Sequence, residues 1–316
     1  MKVLVSDSLS EEGIKILKNA SDIQVDVKTN LSDPELKAII KDYHGLAIRS
    51  KTKATKELIK KAKNLKVIGR AGIGLDNVDI KAATTAGIAI MNTPFGNTIT
   101  TAEHAIALLV SLSRNIPQAT ASLKQGRWEK KSLKGREIFN KTLGLVGIGN
   151  IGSIVANRAL GLKMKVIGFD PYLKPEDIEK LGIKSVSFEE LLKTADYISI
   201  HTPKTPQTTH LFKKEVFKKM KKGSMLINCA RGGIVKEDDL YDALKSNHLG
   251  GAALDVFETE PPCDIKLMEL DNFICSCHLG ASTYEAQDNV AIDVANQIIE
   301  YLQTGKAPNI VNLKEL

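Results

Sequence analysis

An arginine, a pair of glutamates and a histidine in the last third of the chain have the means for acid–base work on a carboxylic acid. Arg231 follows the apolar run Met225–Ala230, and Gly232 and Gly233 behind it relieve crowding. An arginine so placed can hold a carboxylate in a bidentate fork. Glu258 and Glu260 lie in Glu258-Thr-Glu-Pro-Pro262, a stiff loop after the apolar run that contains Asp255. His278 ends another such run and precedes Leu279-Gly280-Ala281-Ser282-Thr283. A histidine beside a carboxylate suits hydride transfer. Oxidising an alcohol requires a base for the hydroxyl proton, and the reverse reaction requires the same group as an acid. The arginine would bind the substrate carboxylate and polarise the neighbouring carbonyl. Spacing alone does not choose between Glu258 and Glu260.

Hydride transfer needs a carrier, and the stretch Lys141–Gly152 provides for one. An apolar run ends in Gly147-Ile-Gly149-Asn-Ile-Gly152, and Ser153–Leu160 then has helical spacing. Gly147 permits a tight turn, Gly149 lets the backbone approach a pyrophosphate, and Gly152 lets the helix pack closely on the strand. The helix N-terminus faces the phosphate charge. Asp170, 18 residues beyond Gly152, closes the next apolar run and is placed to accept hydrogen bonds from a ribose diol. Its carboxylate would repel a 2′-phosphate, so the spacing predicts NAD rather than NADP. His201 is placed to line the cofactor cleft without chemistry. His44, His104, His210 and His248 have no companion motif. Cys275-Ser-Cys277-His278 resembles half a metal site, with both sulfurs on one strand face, but no second ligand pair has zinc-like spacing. No metal is expected.

These residues must be carried by strands alternating with helices, a pattern that predicts an α/β protein with doubly wound parallel sheets. Apolar runs Lys2–Ser6, Ile23–Val27, Leu46–Ile48, Lys66–Ile68 and Ile88–Met91 alternate with helical stretches Glu11–Asn19, Pro34–Lys41 and Lys56–Ala62. Ser32-Asp-Pro-Glu35 is a helix start with a capping-box pair. A strong helix opens at Thr101 after the break Asn92–Asn97. Later strands are expected at Met164–Phe169, Tyr197–Ile200, Ser224–Asn228, Ala252–Val256 and Phe273–Cys277. Several end in residues able to do chemistry, where doubly wound sheets bind ligands. The amphipathic stretch Tyr284–Thr304 is expected to return to the first domain. That makes a discontinuous substrate domain, 1–95 plus 285–316, around a dinucleotide domain, 96–284.

Composition narrows the class. The chain has 316 residues, 43% hydrophobic and 26% charged, as in ordinary globular proteins. A formal charge of +7 raises the question of nucleic acid, but the lysines are dispersed. The densest group, Lys213–Lys222, is interleaved with Val216, Phe217 and Met220 as on a solvated helix face. Nucleic acid is therefore not an expected partner, although a basic surface favours an anionic substrate. No apolar run approaches the ~20 residues of a membrane span. The N-terminus enters a strand pattern rather than a signal peptide, and the four cysteines lack framework spacing, so a cytoplasmic chain is expected.

Taken together, Arg70-Ala-Gly-Ile-Gly-Leu-Asp-Asn77, the glycine turn, Asn228–Gly233, Ala253–Pro262 and His278–Thr283 resemble the D-2-hydroxyacid dehydrogenase family over essentially the whole chain. The resemblance implies a Rossmann NAD domain inserted into a flavodoxin-like substrate domain. It makes Glu260, directly before Pro261-Pro262, the catalytic acid, with Arg231 the carboxylate binder and His278 the acid/base. Cofactor contacts implied are Gly147, Gly149, Asn150, Ile151, Gly152, Asp170, Thr202, Cys229, Ala230, Asp255, Gly280 and Ala281. Ile116–Lys124 and Gly126-Arg-Trp-Glu129 align it with members that oxidise a phosphorylated acid, 3-phospho-D-glycerate. Arg49 and Arg70 then match a need for cations, and Asn97 can donate a further hydrogen bond. A homodimer is implied through a segment near 100–140, with Arg114, and something in Arg127–Arg136, acting across the interface. Cys277 and Ile73 depart from the family's usual proline and threonine. A C-terminal regulatory domain, common in such members, is not expected after Leu316. The alternatives are a glyoxylate/hydroxypyruvate reductase and, from another class, an NAD-sensing corepressor.

Overall fold

Short aliphatic, β-branched runs become strands because each can be buried on both faces of a parallel sheet. In the computed structural model, which describes residues 1–263 and 265–313, they form two sheets in two units. One unit comprises Met1–Asn97 and Ser282–Leu316, the other Thr98–Ala281.

The first unit contains β1 (Lys2–Val5), β2 (Gln24–Val27), β3 (Gly45–Ile48), β4 (Val67–Arg70) and β5 (Ala89–Asn92), in the parallel order β2-β1-β3-β4-β5. Alternate strand residues feed opposite cores. Val3, Val5, Ala47, Val67 and Met91 pack with helices Glu11–Asn19 and Tyr284–Thr304. Leu4, Leu46, Ile48 and Ile68 pack with Leu36, Leu58 and Ile59 on the other side. The two helices of the first face touch at Gly13, where a Cβ would lie 2.7 Å from the Ala291 carbonyl oxygen. The capping box is present, with the Ser32 backbone N–H donating to Glu35 at 2.8 Å. The expected helix Pro34–Lys41 instead ends at Ile39, and a 3₁₀ turn, Ile40–Asp42, follows to bury Ile40.

The second unit contains β6 (Thr142–Val146), β7 (Lys165–Phe169), β8 (Lys184–Ser185), β9 (Tyr197–Ile200), β10 (Met225–Asn228), β11 (Gly251–Leu254) and β12 (Phe273–Cys275). Their parallel order is β12-β11-β10-β9-β6-β7-β8. The direction of winding reverses between β6 and β9, the topological switch point where such sheets take ligands. Helices Thr98–Ser113 and Asn150–Gly161 cover one face through Leu109, Leu112, Val155 and Ala159. Leu191, Phe217 and Leu240, from helices Phe188–Thr194, Lys214–Lys219 and Glu237–Lys245, cover the other. Among the described residues no helix is long and apolar enough to cross a membrane.

Three strand ends fall short of expectation, the first by a single residue, since β1 stops at Val5. β11 stops at Leu254, so Asp255 and Val256 lie in the following loop. β12 stops at Cys275, so Cys277 belongs to a turn and the two thiols do not share a strand face.

Candidate active site

The glycine turn sits between β6 and helix Asn150–Gly161, and its glycines do different work. Gly147 has φ +92°, and a Cβ there would lie 2.7 Å from the His201 carbonyl oxygen. At Gly152 a Cβ would lie 2.2 Å from the Gly147 carbonyl oxygen, so close helix–strand contact demands glycine. At Gly149, the N-cap, a Cβ would meet nothing within 4 Å. That open space beside a helix N-terminus leaves room for a pyrophosphate. Asp170, at the end of β7, accepts from the Ile148 N–H (2.9 Å) and the Tyr172 N–H (2.9 Å), bracing the turn while staying partly exposed. Asn150 is exposed and Ile151 half-buried. The Thr202 side chain borders the turn, and its buried hydroxyl has no hydrogen-bond partner among the described residues. A buried unpaired hydroxyl is costly unless a ligand satisfies it, so these residues fit a dinucleotide. His201 beside them is kept neutral: burial lowers its pKa to about 4, and its Nε2 lies 2.9 Å from the Ser199 hydroxyl.

At the end of β10, Asn228 stitches the next turn. Its carboxamide accepts from the Ala230 N–H (3.0 Å) and donates to the Arg231 carbonyl (3.1 Å). Cys229 is buried, and burial together with the Asp255 charge pushes its thiol far up, so it stays neutral. The Arg231 guanidinium donates to the Ala230 carbonyl at 2.7 Å. At Gly232 a Cβ would lie 1.6 Å from the Phe257 carbonyl oxygen, which locks this turn against the loop after β11.

That loop carries both glutamates. Glu258 accepts from the Glu237 N–H (3.0 Å) and lies 3.6 Å from Lys236 and 3.5 Å from His210. Glu260 accepts from the Phe257 N–H through Oε1 (3.1 Å), and its Oε2 lies 2.7 Å from His278 Nδ1. Phe257 therefore joins the Arg231 turn to the Glu260–His278 pair. His278 is half exposed, and with Nδ1 committed to Glu260, Nε2 remains for proton transfer. Its backbone is left-handed, φ +55°.

Asp255, only 1% exposed, anchors the histidine loop. Its carbonyl accepts from the His278 N–H (2.8 Å) and its carboxylate from the Leu279 (2.7 Å) and Gly280 (2.8 Å) N–H groups. Burial alone would raise its pKa, but hydrogen bonds from His104, Ser276, Leu279 and Gly280 hold it below the usual range. Ala281 follows, half-buried. His104, which has no sequence companion, is thus a member of this network. Asp255 lies 151 residues away, and no periodicity could have linked the two. Among the described residues, no group of three or more metal-ligating side chains occurs.

The first unit holds the remaining arginines. Arg49 directly follows β3, its N–H donating to the buried Asp7 carboxylate (2.7 Å) and its carbonyl accepting from Asn77 (2.6 Å). Arg70 ends β4 in register with Ile48, and its side chain folds over Gly72. Asn97 is buried. In the second unit Arg114 is exposed, directly after helix Thr98–Ser113. Arg136 donates to the Gly223 carbonyl of its own unit at 2.6 Å.

A parallel sheet with a glycine turn at its switch point, and an Arg–Glu–His set at neighbouring strand ends, has the form of a dinucleotide-binding fold. Comparison with known proteins agrees. Residues 106–280 match the family model described as "D-isomer specific 2-hydroxyacid dehydrogenase, NAD binding domain". D-3-phosphoglycerate dehydrogenase of Synechocystis sp. is 47% identical over 315 residues, 100% of this chain and 56% of that protein. The TT0316 protein of Thermus thermophilus superposes with a TM-score of 0.91 at 35% identity, covering 98% of this chain and 100% of that one. A glyoxylate reductase of Paecilomyes thermophila gives 0.91 at 28%, covering 99% of each. The chain belongs to the D-isomer specific 2-hydroxyacid dehydrogenase family and contains its NAD-binding domain. It spans little more than half the length of the curated relative it matches.

Proposed function

We propose that the chain oxidises 3-phospho-D-glycerate to 3-phosphohydroxypyruvate with NAD, the reaction that opens serine biosynthesis. The observation that carries the chemistry is the Glu260 carboxylate, which grips Phe257 N–H with one oxygen and His278 Nδ1 with the other. Arg231 holds the C1 carboxylate. His278 Nε2 takes the C2 hydroxyl proton, and Glu260 orients the ring and stabilises the imidazolium that forms. NAD, when bound, accepts the C2 hydride. Gly147, Gly149, Asn150, Ile151, Gly152, Asp170 and Thr202 would hold its adenosine diphosphate half, with Cys229, Ala230, Asp255, Gly280 and Ala281 nearer the nicotinamide.

The phosphorylated substrate is supported by the name of the 47% identical relative and by Arg49, whose guanidinium has no ion-pair partner among the described residues. Arg70, Asn97 and Arg114 complete the set of phosphate and substrate contacts. The reading includes a cytoplasmic homodimer. Ile116, Leu123, Trp128 and Phe139, all at least half exposed, give the segment after helix Thr98–Ser113 an apolar surface that a second copy would cover.

The test is NADH formation with 3-phosphoglycerate, D-glycerate, D-lactate and glycolate, repeated with R49A and R70A. The expected result is a strong preference for the phosphorylated acid that each variant erodes by about tenfold or more in kcat/KM. Equal turnover of phosphorylated and unphosphorylated acids would reject the substrate while sparing the reaction class.

A further inference from the structure

His104 lies in the second turn of helix Thr98–Ser113, facing the loop that carries His278. Its Nε2 is 3.0 Å from the Ser276 hydroxyl and 3.3 Å from Asp255 Oδ1, and Ser276 itself donates to Asp255 Oδ1 at 2.6 Å. Asp255 is buried, and His104 is its only ion-pair partner among the described residues. The same carboxylate receives the N–H groups of Leu279 and Gly280, and the Asp255 carbonyl receives that of His278. A left-handed histidine persists only where its surroundings over-determine it. Here the bonds from Asp255 meet the backbone at and beyond the strained residue. The contact is tight: a Cβ on Gly280 would sit 3.0 Å from Asp255 Oδ2 and 3.5 Å from the Thr101 methyl on the same helix.

We propose that His104 and Ser276 are positioning residues for proton transfer: by fixing the Asp255 carboxylate they fix the Leu279 and Gly280 amides, and so the ring of His278. The proposal rests on the reading of His278 as the acid/base. An imidazole and a hydroxyl on the inner oxygen leave the carboxylate one orientation, in which both oxygens face the loop. Without them the carboxylate can rotate, and the loop loses its template. Small misplacements of a reacting group cost about 10²-fold in rate, so the effect belongs in kcat rather than in substrate affinity.

The experiment compares His104→Ala, His104→Gln and Ser276→Ala with the parent chain. Each is followed by steady-state kinetics with NAD and the preferred 2-hydroxy acid, and by amide hydrogen exchange over residues 276–281. H104A and S276A are expected to lower kcat by about tenfold to a hundredfold with KM little changed, and to speed exchange at Leu279 and Gly280. H104Q, whose amide still donates to Asp255, recovers most of both. A purely structural role would lower thermal stability of all three without this split between kcat and KM. If kcat and exchange in H104A match the parent, or if Gln rescues no better than Ala, the proposal is wrong. If H104A does not fold, S276A decides alone, since it removes a single hydroxyl. A parent chain inactive on every 2-hydroxy acid would reject the activity reading, while exchange would still judge the positioning.

Discussion

Two glutamates two residues apart, equivalent in spacing, have become different residues in the fold. Glu258 is spent on structure, accepting the Glu237 N–H beside Lys236 and His210. Glu260 is spent on His278, 2.7 Å away. Replacing Glu260 with glutamine keeps an acceptor for the Phe257 N–H but removes the charge that stabilises an imidazolium. E260Q is therefore expected to lose on the order of 10²–10⁴ in kcat with its melting temperature nearly unchanged. E258Q should leave kcat intact and cost at most about 1 kcal/mol of stability, since its amide oxygen still accepts the Glu237 N–H and only the partly exposed contacts with Lys236 and His210 lose their charge. Kinetics paired with thermal melts on both variants checks this, and a kcat loss in E258Q equal to that in E260Q would count against the assignment. Residue types at the site were legible because chemistry limits them: an arginine before paired glycines, a histidine closing an apolar run. The Asp255–Ser276–His104 network was not. Its members come from a helix, a loop and a strand end far apart in the chain, and only packing brings them together.

At the scale of elements, the glycine turn separates two functions that a motif treats as one. Gly152 serves packing, because its Cβ would strike the Gly147 carbonyl at 2.2 Å. Gly149 serves open space, at φ −73°, a backbone any residue adopts. G152A should therefore overpack the helix against the strand, at a cost of about 1–3 kcal/mol and several degrees of melting temperature. G149A should fold and melt like the parent, yet bind NAD about tenfold or more weakly, because its methyl occupies the route of the pyrophosphate. Calorimetric NAD titration beside a thermal melt separates the outcomes, and undiminished NAD affinity in G149A would remove the pyrophosphate from that position. The strands and most helices could be read from apolar runs and 3.6-residue spacing. Strand ends could not. Val256 and Cys277 continue apolar runs, but the chain has already left the sheet, because the Asp255 and Ser276 N–H groups close the last ladder bonds onto Asn228 and Leu254.

For the whole molecule, the return of the C-terminal segment is the main energetic fact about the first unit. Val290, Val294, Ile298 and Leu302 of helix Tyr284–Thr304 are buried against Val3, Val5, Ala47 and Val67, and Asn312 pins the segment with bonds to Ile90 (2.9 Å) and Ile88 (3.0 Å). Burying four such side chains contributes roughly 6–12 kcal/mol at 1.5–3 kcal/mol each. A whole domain has only about 5–15 kcal/mol of net stability, so this unit cannot lose the helix and stay folded. The second unit owes nothing comparable to that segment. Its cores are built from residues between Ala102 and Ile274. A chain ended at Ala281 should therefore unfold in the first ninety-odd residues while Thr98–Ala281 remains folded. In heteronuclear NMR spectra it should show dispersed amide signals for the second unit alone, with NAD still shifting those of Ile148 and Gly149. Retained dispersion for Val3, Ala47 and Val67 would show that the sheet stands without its covering helix. Loss of dispersion throughout would show that the two units fold only as one.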